Sequence, residues 1–171
     1  TLGTTGITVN KNGFGALPIQ RISKIDAAAL LQKAYENGIT FFDTARFYTD
    51  SEEKIGQALG GVREKIIIAT KTMTNSVEEF WKQLHTSLKL LQTDYIDIYQ
   101  FHNPQQCPRP GDGTGLYEAM LEAKANGMIR HIGITNHRLH VAREALESGL
   151  YETLQFPFSY LSTEKEIELV N

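Results

Sequence analysis

The chain has 171 residues, 41% of them hydrophobic, with 20 acidic against 17 basic side chains and a formal net charge of −3. That supply of apolar residues can bury a sizeable core and reads as a single domain over residues 1–171. No basic stripe is present, which argues against nucleic acid and against an anionic membrane surface as partners. The longest apolar runs are strand-length, too short to span a bilayer. The opening Thr1-Leu2-Gly3 lacks the basic-then-apolar pattern of a secretory leader. One cysteine, Cys107, excludes an internal disulfide framework and fits a reducing compartment, so the expected location is the cytoplasm.

In chain order, short apolar runs alternate with longer amphipathic ones. Gly13–Ile19 reads as a first strand. Ser23 then opens a helix signal, with Asp26 completing a variant capping box and Ala27, Leu30, Leu31, Ala34 and Tyr35 at helical spacing. Asn37-Gly38 stops it. A strand over Ile39–Asp43 leads to a helix from about Glu52 to Leu59, ended by Gly60-Gly61. A strand over Lys65–Lys71 leads to a helix near Val77–Leu91, whose Phe80, Leu84, Leu88 and Leu91 form one stripe. The next strand, Tyr95–His102, is interrupted by Asp97 and Gln100. It is followed by a long loop and a helix near Gly115–Asn126. Ile129–Thr135 precedes a helix near His140–Ser148. Thr153–Tyr160 precedes Thr163-Glu164-Lys165-Glu166, the capping box of one more helix.

Successive strands lie about 25 to 35 residues apart, the size of one βα unit, so the sheet is expected to be parallel. Six units are visible, and a closed (β/α)₈ barrel needs eight strands. The two candidate architectures are an open doubly wound sheet and an incomplete barrel. Gly13-Phe14-Gly15-Ala16-Leu17-Pro18 supplies two glycines of the dinucleotide fingerprint and then departs from it. The incomplete barrel is therefore preferred. Its unpaired edges carry the expectation of self-association.

Three strands end in different ionisable residues, Asp43, Lys71 and His102, with Tyr48 just past the first. The carboxyl ends of parallel strands are where such folds bind ligands. A lysine ammonium near a tyrosine stabilises the phenolate and lowers a pKa that otherwise sits near 10. Asp43 would hold Lys71 charged and in place, and His102 would orient a carbonyl oxygen. That set suits protonation of a carbonyl during reduction, with the hydride supplied by a cofactor. Taken singly, each residue also has an ordinary structural role: a turn carboxylate, a solvated lysine, a satisfied core histidine, a packing tyrosine. The inference rests on their joint placement.

Gly38-Ile39-Thr40-Phe41-Phe42-Asp43-Thr44-Ala45, followed by Tyr48, Ser51-Glu52 and Ile55-Gly56, resembles the signature of the aldo-keto reductases. Asp43, Tyr48, Lys71 and His102 fall at the spacing of that family's catalytic tetrad. The resemblance implies an α/β fold, a (β/α)₈ TIM barrel of aldo-keto reductase type. It is incomplete here at about six βα units, with Thr1–Val9 as the N-terminal β-hairpin that plugs the bottom. It also implies NADPH as cofactor, Tyr48 as general acid and a small-molecule carbonyl substrate. Gly133-Ile134-Thr135-Asn136 and Gln155 resemble the segments that hold the nicotinamide carboxamide, which casts Thr135, Asn136 and Gln155 as cofactor-binding residues. Family features of the seventh and eighth units, including the grip on the pyrophosphate, are not among these residues. Some relatives of this flavour carry an iron–sulfur domain, and a single cysteine holds no such cluster. An alternative reading is a non-catalytic nicotinamide-binding or regulatory module of the same fold.

Weaker features complete the sequence. The Pro- and Gly-rich stretch Pro104–Gly115 is placed either to wall the substrate pocket or to act as a plain connector. Cys107 within it has no evident activating partner and is expected to be inert. His137-x-x-His140 has zinc-ligand spacing but no third ligand in sequence reach, so no metal is expected. Trp81 is expected to pack, and Glu164, Glu166 and Glu168 to face solvent.

Overall fold

The computed structural model describes residues 1–170. Six strands, β1 (Phe14–Gly15), β2 (Phe41–Asp43), β3 (Ile67–Thr72), β4 (Ile96–His102), β5 (Ile129–Thr135) and β6 (Thr153–Gln155), form one sheet in sequential order. Every pairing is parallel. A doubly wound sheet would reverse its strand order at a switch point. This one never does, so it curls as part of a (β/α)₈ barrel. Helices α1 (Lys24–Glu36), α2 (Ser51–Leu59), α3 (Val77–Leu91), α4 (Leu116–Ala125), α5 (Leu139–Ser148) and α6 (Glu164–Val170) follow the strands in turn.

Local chemistry sets these boundaries. Ser23 caps α1, its Oγ accepting from the Asp26 amide at 3.0 Å while donating to Asp26 Oδ2 at 2.7 Å. Ser76 caps α3 in the same way through the Glu79 amide at 3.2 Å. The apolar stripe of α3 is buried, with Phe80 packed edge-on against Tyr99 of β4, ring centroids 5.8 Å apart. Trp81 packs edge-on against Phe80 beside that core. Helix α2 approaches the end of α3 closely at Gly56, where a Cβ would lie 2.2 Å from the Leu90 carbonyl oxygen. Only glycine permits that approach.

Three expectations need correction. The first strand is two residues long, because Pro18 opens a 3₁₀ turn over Pro18–Arg21. The sixth stops at Gln155, short of Tyr160, since Pro157 has no amide hydrogen for the ladder. Residues 1–9 form a turn, with the Leu2 amide donating to Ile7 O at 2.9 Å, and no strand pair. That turn does lie at the amino ends of the strands. The Thr4 amide donates to Glu152 O just before β6, and Asn10 Nδ2 to Gly38 O before β2.

The interruption at Asp97 also resolves. Its carboxylate is buried at the amino end of the sheet, accepting from Arg63 Nη2 at 2.7 Å, the Ile68 amide at 3.0 Å and Arg130 Nη1 at 3.0 Å. The Tyr95 ring carries both guanidiniums, Arg63 at 4.1 Å and Arg130 at 3.6 Å from its centroid. This cluster joins β3, β4 and β5 at the end opposite the strand-end residues Asp43, Lys71 and His102. No helix among the described residues is long and apolar enough to cross a membrane.

Candidate active site

Side chains alternate along parallel strands in register, so residues at matching positions of neighbouring strands share a face. Lys71 pairs with Gln100, two residues before His102, and His102 pairs with Thr135. Lys71 Nζ donates to Asp43 Oδ2 at 2.7 Å and to Thr44 O at 2.7 Å. The same ammonium lies 5.3 Å from the centroid of the Tyr48 ring. Tyr48 in turn meets His102 edge-on, with centroids 5.8 Å apart and planes at 83°. Asp43, Tyr48, Lys71 and His102 thus form one contiguous group.

The electrostatics differ from the sequence expectation in one respect. Burial is the main influence on Tyr48 and the nearby Asp43 carboxylate adds to it, so the phenol sits above its usual range rather than below it. The reason is geometric. The Lys71 ammonium is hydrogen-bonded to Asp43 and Thr44 and faces the ring of Tyr48. Lys71 is itself held below the usual lysine range by burial, against the pull of Asp43. His102 is pushed down to about 4, first by burial and then by Lys71 and His137. Its imidazole is therefore neutral near pH 7.

His102 gives a pH prediction. The unfolded chain takes up this proton near 6.5 and the folded one near 4, so between those values the unfolded state holds more protons. The contribution of the neutral imidazole is full above 6.5 and is lost as pH falls toward 4. The urea midpoint of the wild type is expected to fall across that window more than that of His102→Asn. A His102 ring-proton resonance titrating near 6.5 would contradict the assignment.

Buried polar groups in α2 hold the Tyr48 loop, a role not assigned to them from the sequence. Glu52, fully buried, accepts from Thr70 Oγ1 of β3 at 2.6 Å and pairs with Arg46. Arg46 also donates to Thr49 O at 3.1 Å, beside Tyr48. Ser51 Oγ donates to Ala16 O and accepts from Thr44 Oγ1, both at 2.9 Å. Lys54 Nζ donates to Ile19 O, Ile22 O and Asp50. Their only signal in the sequence is their place in the Ser51-Glu52 portion of the motif.

The three residues cast for the cofactor lie at the ends of β5 and β6. Thr135 Oγ1 accepts from the Asn103 amide at 3.2 Å. Asn136 is buried, donating from Nδ2 to Pro104 O and accepting the Arg138 amide at Oδ1, both at 2.8 Å. Exposed Gln155 accepts from Gln100 Nε2 at 3.3 Å. Gln155 retains the most hydrogen-bonding capacity of the three.

Beside His102 is a cavity of about 500 Å³, walled by the β3–α3 loop at Met73 and by Pro104 to Pro108 of the long loop. That loop is therefore a pocket wall. Cys107 on it is nearly buried, and burial raises its thiol. Among the described residues no three His, Cys, Asp or Glu side chains are grouped to hold a metal.

The family model described as "Aldo/keto reductase family" matches residues 3–169. The chain belongs to the aldo-keto reductase family. It is 32% identical over 174 residues to L-galactose dehydrogenase of Arabidopsis thaliana, covering 93% of this chain and 54% of that one. It is 36% identical over 148 residues to methylglyoxal reductase DkgB of Salmonella typhi, covering 82% and 52%. A Klebsiella pneumoniae aldo-keto reductase solved in complex with NADPH superimposes with a TM-score of 0.82 at 25% identity, covering 98% of this chain and 61% of that one. The chain spans about half the length of the curated relatives it matches.

Proposed function

We propose that this protein is an NADPH-dependent reductase of small aldehydes or ketones, with Tyr48 as the general acid. One observation carries the reading: buried Lys71, paired with partly buried Asp43, lies against the Tyr48 ring, with His102 meeting that ring edge-on. NADPH, when bound, supplies the hydride. Tyr48 donates its proton to the carbonyl oxygen as negative charge develops there. The phenol is protonated at neutral pH, the form a general acid requires. Lys71, which Asp43 fixes in place 5.3 Å from the ring centroid, is the cation beside the phenolate left behind. His102, being neutral, directs the carbonyl oxygen without competing for the proton.

The donor set at the carboxyl edge fits a nicotinamide. Gln155 offers an amide and Thr135 a hydroxyl, the complement of a carboxamide, while fully buried Asn136 spends its amide on Pro104 O and the Arg138 amide, and buried Asp43 Oδ1 and His102 Nδ1 have no partner among the described residues. We assign Thr135 and Gln155 to that contact, and Asn136 to holding the turn beside it. We place the protein in the cytoplasm and treat residues 1–171 as one domain.

The test is consumption of NADPH by small aldehydes and ketones, read together with the alcohol formed. Matched amounts support the reading; cofactor binding with no alcohol from any carbonyl would refute it. Strands β1 and β6 are the sheet's two edges, and Phe158, Tyr160 and Leu161 beyond β6 are exposed. Residues 1–171 in isolation are accordingly expected to self-associate, with sedimentation showing concentration-dependent mass. A monomer at all concentrations would count against this.

A further inference from the structure

The cavity beside His102 has two charged side chains in its lining, Asp112 and Arg138, and they are in opposite conditions. Asp112 is spent on its own loop. Its Oδ1 accepts from the Thr114 amide at 2.8 Å and Thr114 Oγ1 at 2.6 Å, and its Oδ2 from the Arg109 amide at 3.1 Å. Arg138 makes no ion pair among the described residues. Its Nη1 donates to Asn103 Oδ1 at 3.1 Å and to Asn103 O at 3.4 Å. A guanidinium has five N–H donors, so the other edge of the fork remains open.

The anchor is what gives this cation meaning. Asn103 directly follows His102 and holds a left-handed conformation, φ 53°, uncommon for a residue other than glycine. In that conformation its amide donates to Thr135 O at 2.9 Å, and its side-chain oxygen accepts from the His137 amide at 3.2 Å as well as from Arg138. Asn103 thus clamps the turn after β5 to the end of β4. The guanidinium is tethered one residue along the chain from the imidazole. The neighbouring turn reinforces this, since Asn136 Oδ1 accepts the Arg138 amide at 2.8 Å.

We propose that Arg138 is a specificity residue that selects carbonyl substrates bearing a carboxylate, held by the guanidinium while the carbonyl oxygen meets His102. This deepens the reductase reading and rests on it for the identity of the pocket. A planar fork matches a carboxylate and gives a neutral aldehyde no equivalent contact. The cavity volume accommodates a small aromatic or aliphatic oxo acid. Because Arg138 is exposed, the selectivity is modest and screened by salt.

The experiment compares binding of 4-carboxybenzaldehyde and benzaldehyde to the protein by ligand-observed NMR, which needs no turnover, in the wild type, Arg138→Gln and Arg138→Lys. The wild type is expected to prefer the acid by about fivefold. Arg138→Gln abolishes the preference, Arg138→Lys keeps part of it, and high salt reduces it. Equal affinities in the wild type, or an undiminished preference in Arg138→Gln, overturns the proposal. Should Arg138→Gln not fold, the salt dependence and the Arg138→Lys ratio decide. NADPH consumption without the preference sinks this site alone; the preference without alcohol formation from either aldehyde sinks the reductase reading and leaves the anion site standing.

Discussion

Tyr48→Phe is expected to lower the turnover of aldehydes by about 10² to 10⁴, the range that a positioned general acid contributes. The substitution removes one oxygen. The ring keeps its edge contact with His102 and its face toward Lys71, so the fold and the pocket walls should be unchanged. The loss should fall on kcat with little change in KM, because proton donation matters as charge develops on the carbonyl oxygen and less in the ground state. A matched circular dichroism spectrum and thermal midpoint would confirm that chemistry, not folding, was lost. Full activity in this variant would remove Tyr48 from the role of acid.

The largest effect on stability is expected at the other end of the sheet. Arg63 donates to Asp97 Oδ2, to the carbonyls of Ile66 and Tyr95, and to Thr93 Oγ1, all within 3.0 Å. Arg63→Leu would leave Asp97, 1% exposed, with Arg130 as its one remaining cation, and that residue is half exposed. Breaking a buried pair from one side costs about 3–5 kcal/mol. For a chain of this size that corresponds to a thermal midpoint lower by roughly 10 °C. The double variant Arg63→Leu/Asp97→Leu should recover a good part of the loss, since removing both charges leaves none uncompensated. If Arg63→Leu changed stability by less than about 0.5 kcal/mol, the cluster would be a surface contact in energetic terms.

What was legible in the sequence follows physical lines. Helix α3 and strand β5 lie where their residues place them. Phe80, Leu84 and Leu91 give an unambiguous stripe behind a Ser76 cap, and Ile129–Thr135 is bounded by a glycine turn and the Asn136 turn. Strand ends at β1 and β6 were overextended because apolar runs continue past Pro18 and Pro157, and only pairing geometry shows where the ladder stops. The strand-end residues Asp43, Lys71 and His102 were legible because a parallel sheet gathers its carboxyl ends. The phenol's upward displacement was not, since it depends first on burial and then on the nearby Asp43 carboxylate, neither of which is written in one dimension. Glu52 and Lys54 look like solvated helix charges in one dimension, and their partners Thr70, Ile19 and Ile22 lie 18 to 35 residues away. Arg138 carried no signal at all, because its meaning comes from Asn103 on another strand end.

The proposed reaction couples hydride delivery to a carbonyl carbon with protonation by Tyr48. The most direct measurement is transfer of label from NADPH deuterated at its transferable position into the product alcohol, in the wild type and in Tyr48→Phe. One deuterium is expected on the carbinol carbon in the wild type, with strongly slowed transfer to that same carbon in the variant. Alcohol formed without deuterium, or label transferred at the wild-type rate by Tyr48→Phe, would contradict the proposed reaction.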